Sequence, residues 1–253
     1  MKRNSLLIYS VLHYLGVQSD TTSHTEKLIS GIGAAVGILA IYSVLSAYPT
    51  NHPLTLVMAS VAASAVLVFA VPHGALSQPW PVMGSYLTSA ALGVTCSHWI
   101  QHDAAAAVTA VGFSVICMHY LRCLHPPGAA VALVAVTGGA DIEAMGYQFI
   151  MVPALLNAGT LVGAAVIYNY AYPWRRYPVP LVYHTPHPHP SISENNLIEL
   201  TVEDYQYALR QQDSFIDISP EDLAELVECA REHALSYQSS ASTTTDTQPH
   251  PQS

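Results

Sequence analysis

Charge is what this sequence has least of. It carries 8 Lys and Arg and 17 Asp and Glu in 253 residues, or 10%, where an ordinary soluble domain holds about 25%. Apolar side chains make up 51%. So few polar groups cannot cover a water-facing globule of this size, which disfavours a cytosolic enzyme. Glycine without a period excludes a collagen-like chain, four cysteines exclude a disulfide scaffold, and the apolar content excludes wholesale disorder. An integral membrane protein is the class that remains.

The scarce charges are also confined. Between residues 28 and 170 only Asp103, Arg122, Asp141 and Glu143 are charged. From Ser193 onward there are twelve acids and two bases, so the net charge of −9 belongs to the tail and says nothing of a cationic partner for the whole chain. No CxxC pair joins Cys96, Cys117, Cys123 and Cys229, which read as small hydrophobes. GxSxG, HExxH, Walker and GxGxxG motifs are missing, as are paired carboxylates. The sequence thus offers no catalytic constellation and no nucleotide or nucleic-acid site, and no cofactor is expected.

What is present is apolar length. Leu28–Tyr48, Pro53–Val71, Val82–Ile100, Ala104–Leu124 and Tyr147–Tyr170 each approach the twenty or so residues that carry a helix across about 30 Å of hydrocarbon. Gly128–Gly138 is apolar but shorter, a thin span or a re-entrant half-helix. These stretches predict an all-α fold: a polytopic transmembrane helical bundle of about six membrane helices over residues 28–170, in contact with the lipid bilayer. Small residues at Gly31, Gly33 and Gly37, at Ala59, Ala62, Ala63 and Ala65, and at Gly159 and Gly163 suit close helix packing. Such faces also suit a homo-oligomer. Lys2, Arg3 and Lys27 precede the first span and Arg175-Arg176 follow the last, which predicts both termini in the cytoplasm.

The flanks read differently. Residues 1–27 form an N-terminal interfacial segment, because Leu6–Val17 is too short to cross. Residues 171–192 are a Pro/His-rich linker in which His184, His187 and His189 alternate with prolines, a polar spacer first and a weak metal site only second. Residues 193–237 read as a small cytosolic helical segment, with Ser219-Pro220-Glu221-Asp222 as a helix start. The Ser/Thr/Gln/Pro composition of residues 238–253 reads as disorder.

Function points to two loops that are alike. Pro72-His73-Gly74 through Gln78-Pro79-Trp80-Pro81, and Leu124-His125-Pro126-Pro127-Gly128, each set a His beside proline at the end of an apolar run and then restart a helix. Proline suits the first helical position because its missing N–H is not needed there. A helix restarting at membrane depth turns free N–H groups and its positive dipole end toward the gap, as in the broken helices of transporters. Two such loops suggest a three-plus-three repeat. Arg122 is the one base in the apolar core by sequence, a pocket charge or a snorkelling anchor. With His73, His125 and helix N-termini it would make a pocket for a small anion. His98 and His102, spaced i, i+4, and His119 beside Cys117 and Cys123 offer a transition-metal path as an alternative.

The segment Leu124-His125-Pro126-Pro127-Gly128-Ala129, followed by an apolar run to Gly138-Gly139, resembles the signature of the HPP family of integral membrane proteins. The stretch Ala63–His73 with Leu76, Gln78 and Pro79 is similar to that family's second hallmark. The resemblance covers about residues 27–170. It implies His73, Gln78, Pro79, Arg122, His125, Pro126, Pro127 and Gly128 as motif positions for substrate binding. Relatives in plastids and cyanobacteria are implicated in nitrite transport, so a small inorganic anion, nitrite first, is the substrate the resemblance implies. Trp80 stands where a basic residue would be expected, and Ala62-Ala63-Ser64 where Gly-Ala-Ser is usual. The resemblance implies a bacterial inner-membrane location, and bacterial members often continue into paired CBS domains. This chain is expected to lack them, and nucleotide regulation is not carried over. The readings that compete with an anion transporter or channel are the transition-metal transporter and a membrane scaffold or sensor acting through its tail.

Overall fold

The computed structural model describes residues 22–47 and 59–179, together with position 227. The interfacial segment before residue 22, the His-Pro alternation after residue 179, and all of the tail except Val227 lie outside the described residues. The described fold falls in one compact unit, Ser23–His189. Its helices are α1 (His24–Ser46), α2 (Ala59–Ala70), α3 (Pro79–Trp99), α4 (Asp103–Tyr120), α5 (Pro126–Thr137), α6 (Ala140–Met145) and α7 (Leu156–Tyr170). A wide helical turn, Ile150–Leu155, leads into α7, and short 3₁₀ turns occupy Ala75–Ser77 and Pro173–Arg175.

Among the described residues, three helical stretches are long and apolar enough to cross a membrane: His24–Ser46, Asp103–Tyr120 and Ile150–Tyr170. The fourth apolar run stops short of its expected end, because helix α4 closes at Tyr120 and Arg122 takes a left-handed conformation (φ 54°). Helix α3 has 21 residues, about 32 Å at 1.5 Å per residue. It carries exposed Trp80 and Trp99 near its ends, as interfacial tryptophans are placed. Helix α5 has only 12 residues, about 18 Å, and so behaves as a half-helix. The last span is broken where expected for a Pro: Val152 is extended (φ −137°, ψ 118°) before Pro153.

Sites of close approach follow the small residues in part. A Cβ on Gly33 or Gly37 would lie 2.6 Å from the Phe69 ring, and one on Gly93 would lie 2.6 Å from Ala135 Cβ, so α1 meets α2 and α3 meets α5 through glycine. The Gly159 and Gly163 pair behaves differently from its reading as packing surface: a Cβ on Gly163 meets nothing within 4 Å, and one on Gly159 only Met83 at 3.8 Å.

The helix contacts obey a swapped three-plus-three pattern. Helix α1 packs on α2 and α7, while α4 packs on α5 and α3. Replacing α1, α2 and α3 by α4, α5 and α7 maps α1–α2 onto α4–α5, α1–α7 onto α4–α3, and α2–α7 onto α5–α3, and returns the α2–α5 and α3–α7 contacts to themselves. The contacts repeat with the third helix of each unit seated in the other, so the loops 72–79 and 122–128, whose likeness suggested the repeat, are not each other's counterparts in it. The chain reverses direction from each helix of a unit to the next, so the second unit runs inverted relative to the first. Prolines recur at a similar offset in the sequence, Pro53 with Pro126 and Pro79 with Pro153, although Pro79 and Pro126 open helices while Pro153 lies inside the last span.

One face of the bundle gathers the start of α1, the ends of α2, α4 and α7, and the starts of α3 and α5. Hydrogen bonds from Tyr168 to Ile29 O, from Trp80 to Leu121 O and between His125 and Leu76 O fix this. Lys27, Arg122, Arg175 and Arg176 lie on it with one acid, Glu26, whereas Asp103, Asp141 and Glu143 lie on the other.

Candidate functional site

The site begins with two helix starts. Proline occupies the first turn of α3 and of α5, and neither helix has a side-chain cap. Their preceding loops meet. His125 is the N-cap residue of α5 and is wholly buried. Its Nδ1 lies 2.7 Å from Leu76 O, and its Nε2 lies 2.8 Å from Ser64 Oγ. A carbonyl only accepts, so Nδ1 carries the proton. In the neutral ring Ser64 then donates to Nε2. The Tyr86 hydroxyl lies 2.9 Å from Ser64 Oγ and 3.3 Å from Ser60 Oγ. A continuous polar chain thus runs Ser60, Tyr86, Ser64, His125, Leu76 through a buried region where α2, α3 and α5 converge. Burying these groups is tolerable because each one finds a partner.

Gly128 lets α5 approach α3, since a Cβ there would lie 2.5 Å from Ser85 Cβ. Pro127 is buried and Pro126 exposed. On the other loop, Gln78 Nε2 donates to Pro72 O at 3.0 Å and Gly74 O at 2.9 Å. Its Oε1 accepts from Val179 N at 3.0 Å. Pro79 opens α3 and is half-buried. His73 is half-buried and lies 3.2 Å from Arg176 O. His73, Gln78, Pro79, His125, Pro126, Pro127 and Gly128 therefore belong to one loop cluster. Within it the imidazole of His125 faces protein partners on both nitrogens. Arg122 stands apart: it is exposed, in the turn after α4, at the basic face.

The buried cation is Arg175, which the sequence had read as a terminal topology anchor. It ion-pairs with buried Glu26 and donates to Phe69 O, to Asn169 Oδ1 at 3.2 Å and to Ser30 Oγ at 3.2 Å. Trp174 Nε1 donates to the second Glu26 oxygen at 3.2 Å. Burial pulls the guanidinium down to about 10, so it stays charged near neutral pH beside the carboxylate. Tyr177 is buried too, and its hydroxyl donates to Ser77 O at 2.8 Å. Burial pushes that phenol up from its ordinary value. Residues 173–179 thus lie across the Pro72–Gln78 loop instead of leaving the fold.

Among the described residues, no three of His, Cys, Asp or Glu come close enough to hold a metal ion. His98 lines a small cavity at the acidic face with Ser97, Glu143 and Gly146, while His119 is on α4.

Apolar helices broken at paired His-Pro loops, with basic and acidic charge sorted to opposite faces, define a polytopic α-helical membrane protein. The chain belongs to the HPP family of transmembrane proteins: the family profile described as "HPP, transmembrane region" matches residues 19–178. It is similar to two transmembrane proteins of Dictyostelium discoideum. One is 30% identical over 169 residues, 65% of this chain and 54% of the relative. The other is 30% identical over 152 residues, 58% of this chain and 53% of the relative. The chain spans about half the length of the curated relatives it matches. No solved structure matches.

Proposed function

We propose that this protein carries a small inorganic anion across the membrane, with nitrite the first candidate, as a transporter or channel. The observation that carries the reading is the meeting of the α3 and α5 starts at one place, joined by the His125–Leu76 bond. Both starts turn the positive end of a helix dipole toward that place, which favours an anion over a cation; the dipole carries this, because Pro79, Pro81, Pro126 and Pro127 have no N–H and Gly128 N is bonded to His125 O. The anion passes between the loops 72–79 and 122–128. Arg122, exposed at the basic face, draws it in. Gln78 and His125 shape the loops, His73 and Gly128 line their edges, and the prolines 79, 126 and 127 fix where the helices start. His125 acts as a positioning residue: its bond to Leu76 opens as the anion passes. By charge sorting the basic face is cytoplasmic, which puts both termini inside. The bacterial inner membrane stays in this reading on the strength of the resemblance.

The test is electrical. Currents evoked by stepping nitrite, nitrate, formate or chloride across supported membranes are compared for the wild type and Arg122→Gln. The reading expects anion-evoked current that falls in Arg122→Gln at unchanged protein density. Equal currents in both would remove Arg122 from the path, and no current for any anion would contradict anion transport.

A further inference from the structure

The two halves of the inverted repeat are closed to different degrees. At the basic face, the ends of α2 and α7 are bridged: Arg175 binds Phe69 O on α2 and Asn169 on α7, and Glu26 of α1 neutralises it. An aromatic ladder, Phe69–Tyr168, Tyr168–Tyr172 and Tyr172–Trp174, backs the bridge with ring centroids 5.8, 5.6 and 5.6 Å apart. At the acidic face, the corresponding helix ends are those of α5 and α3. There Ala135, Val94, Ser97 and His98 instead line a cavity of about 50 Å³ with Ile142, Glu143 and Gly146 of the α6 segment. One end of the pair is plugged by a buried ion pair, and its counterpart keeps a small cavity beside the close Gly93–Ala135 approach.

We propose that Pro173–Val179 is a removable strap that closes the transport path at the basic face, anchored by Arg175 on Glu26. It opens when the cavity between the ends of α3 and α5 closes. Inverted repeats move by exchanging the conformations of their halves, which is how alternating access arises. The strap is held mainly through polar groups that can be exchanged for others, Arg175 to Glu26, Phe69 O, Asn169 and Ser30, Trp174 to Glu26, Tyr177 to Ser77 O, Val179 N to Gln78 and Arg176 O to His73, with the Tyr177 ring as its apolar anchor. Releasing it frees the loop whose Leu76 carbonyl holds His125, so the strap controls the same loop cluster. This inference rests on the transport reading for its purpose, though not for its observation.

The test uses the full chain, with native cysteines replaced by serine, in liposomes. Ser77→Cys reports from beneath the strap and Ser97→Cys from the opposite cavity, each by its rate of labelling with a water-soluble thiol reagent from its own side. Adding Glu26→Gln should raise Ser77→Cys labelling at least about tenfold, since a charge-assisted bond is weakened. It should lower Ser97→Cys labelling in the same preparation. If Glu26→Gln does not fold, Trp174→Phe removes one bond to Glu26 while keeping a ring, and a smaller change of the same sign is expected. Unchanged Ser77→Cys labelling, or a rise at both positions together, overturns the strap as a gate. Opposed labelling without anion uptake would uphold the strap and fault the anion reading instead.

Discussion

His125 Nδ1 and the carbonyl oxygen of Leu76 lie 2.7 Å apart across 49 residues of sequence. That bond joins the two His/Pro loops into one structure. His125→Ala leaves Leu76 O and Ser64 without their partner in a buried place, at a cost of about 1–3 kcal/mol. His125→Asn keeps a donor near Nδ1 and should recover part of the loss. Thermal unfolding in detergent, read for both variants against the wild type, checks this order.

The Ser64–Tyr86 pair should couple. Ser64→Ala strands His125 Nε2 and leaves the Tyr86 hydroxyl only Ser60, whereas Tyr86→Phe leaves Ser64 bonded to His125. Tyr86→Phe should therefore cost less, about 1 kcal/mol. The double variant should cost less than the sum of the singles, because the network is shared. A double-mutant cycle on unfolding free energies measures it, and strict additivity would break the chain at Ser64.

Glycine positions separate into two kinds. Gly128→Ala drives a methyl against Ser85 and should destabilise by about 1–3 kcal/mol. Gly163→Ala meets open space and should be near neutral. Expression in membranes and detergent-resistant folding of the two variants decide it. Equal loss in both would mean that Gly163 packs against something outside the described residues.

Topology gives a direct check of charge sorting. On a cysteine-free background, Ala140→Cys and Ala171→Cys place thiols at exposed positions on the acidic and basic faces. An impermeant reagent applied outside cells should label Ala140→Cys and spare Ala171→Cys. The reverse pattern would invert the protein.

Much of the helix layout was legible because apolar runs long enough to cross a membrane leave few other options. The first, third and last runs match α1, α3 and the 150–170 segment within a few residues. The prolines 79, 126 and 153 mark restarts and breaks by their own backbone chemistry. The location of buried charge was not legible. Arg122 sits inside an apolar run but falls in a left-handed turn at the surface, while Arg175 follows the last span and folds back beneath Phe69 and Glu26. Fold-back depends on partners 106 and 149 residues away, and no local pattern carries that. The same holds for Gly159 and Gly163, whose spacing fits a packing motif while their faces meet almost nothing within this chain.

The central claim is that the joined His-Pro loops form an anion path. Its most direct measurement is nitrite uptake into liposomes bearing the purified protein, beside protein-free liposomes that report leakage of the neutral acid. The account predicts saturable uptake above the empty control, strongly reduced in folded His125→Ala. Uptake by folded wild type no faster than that of empty liposomes would contradict the account for nitrite.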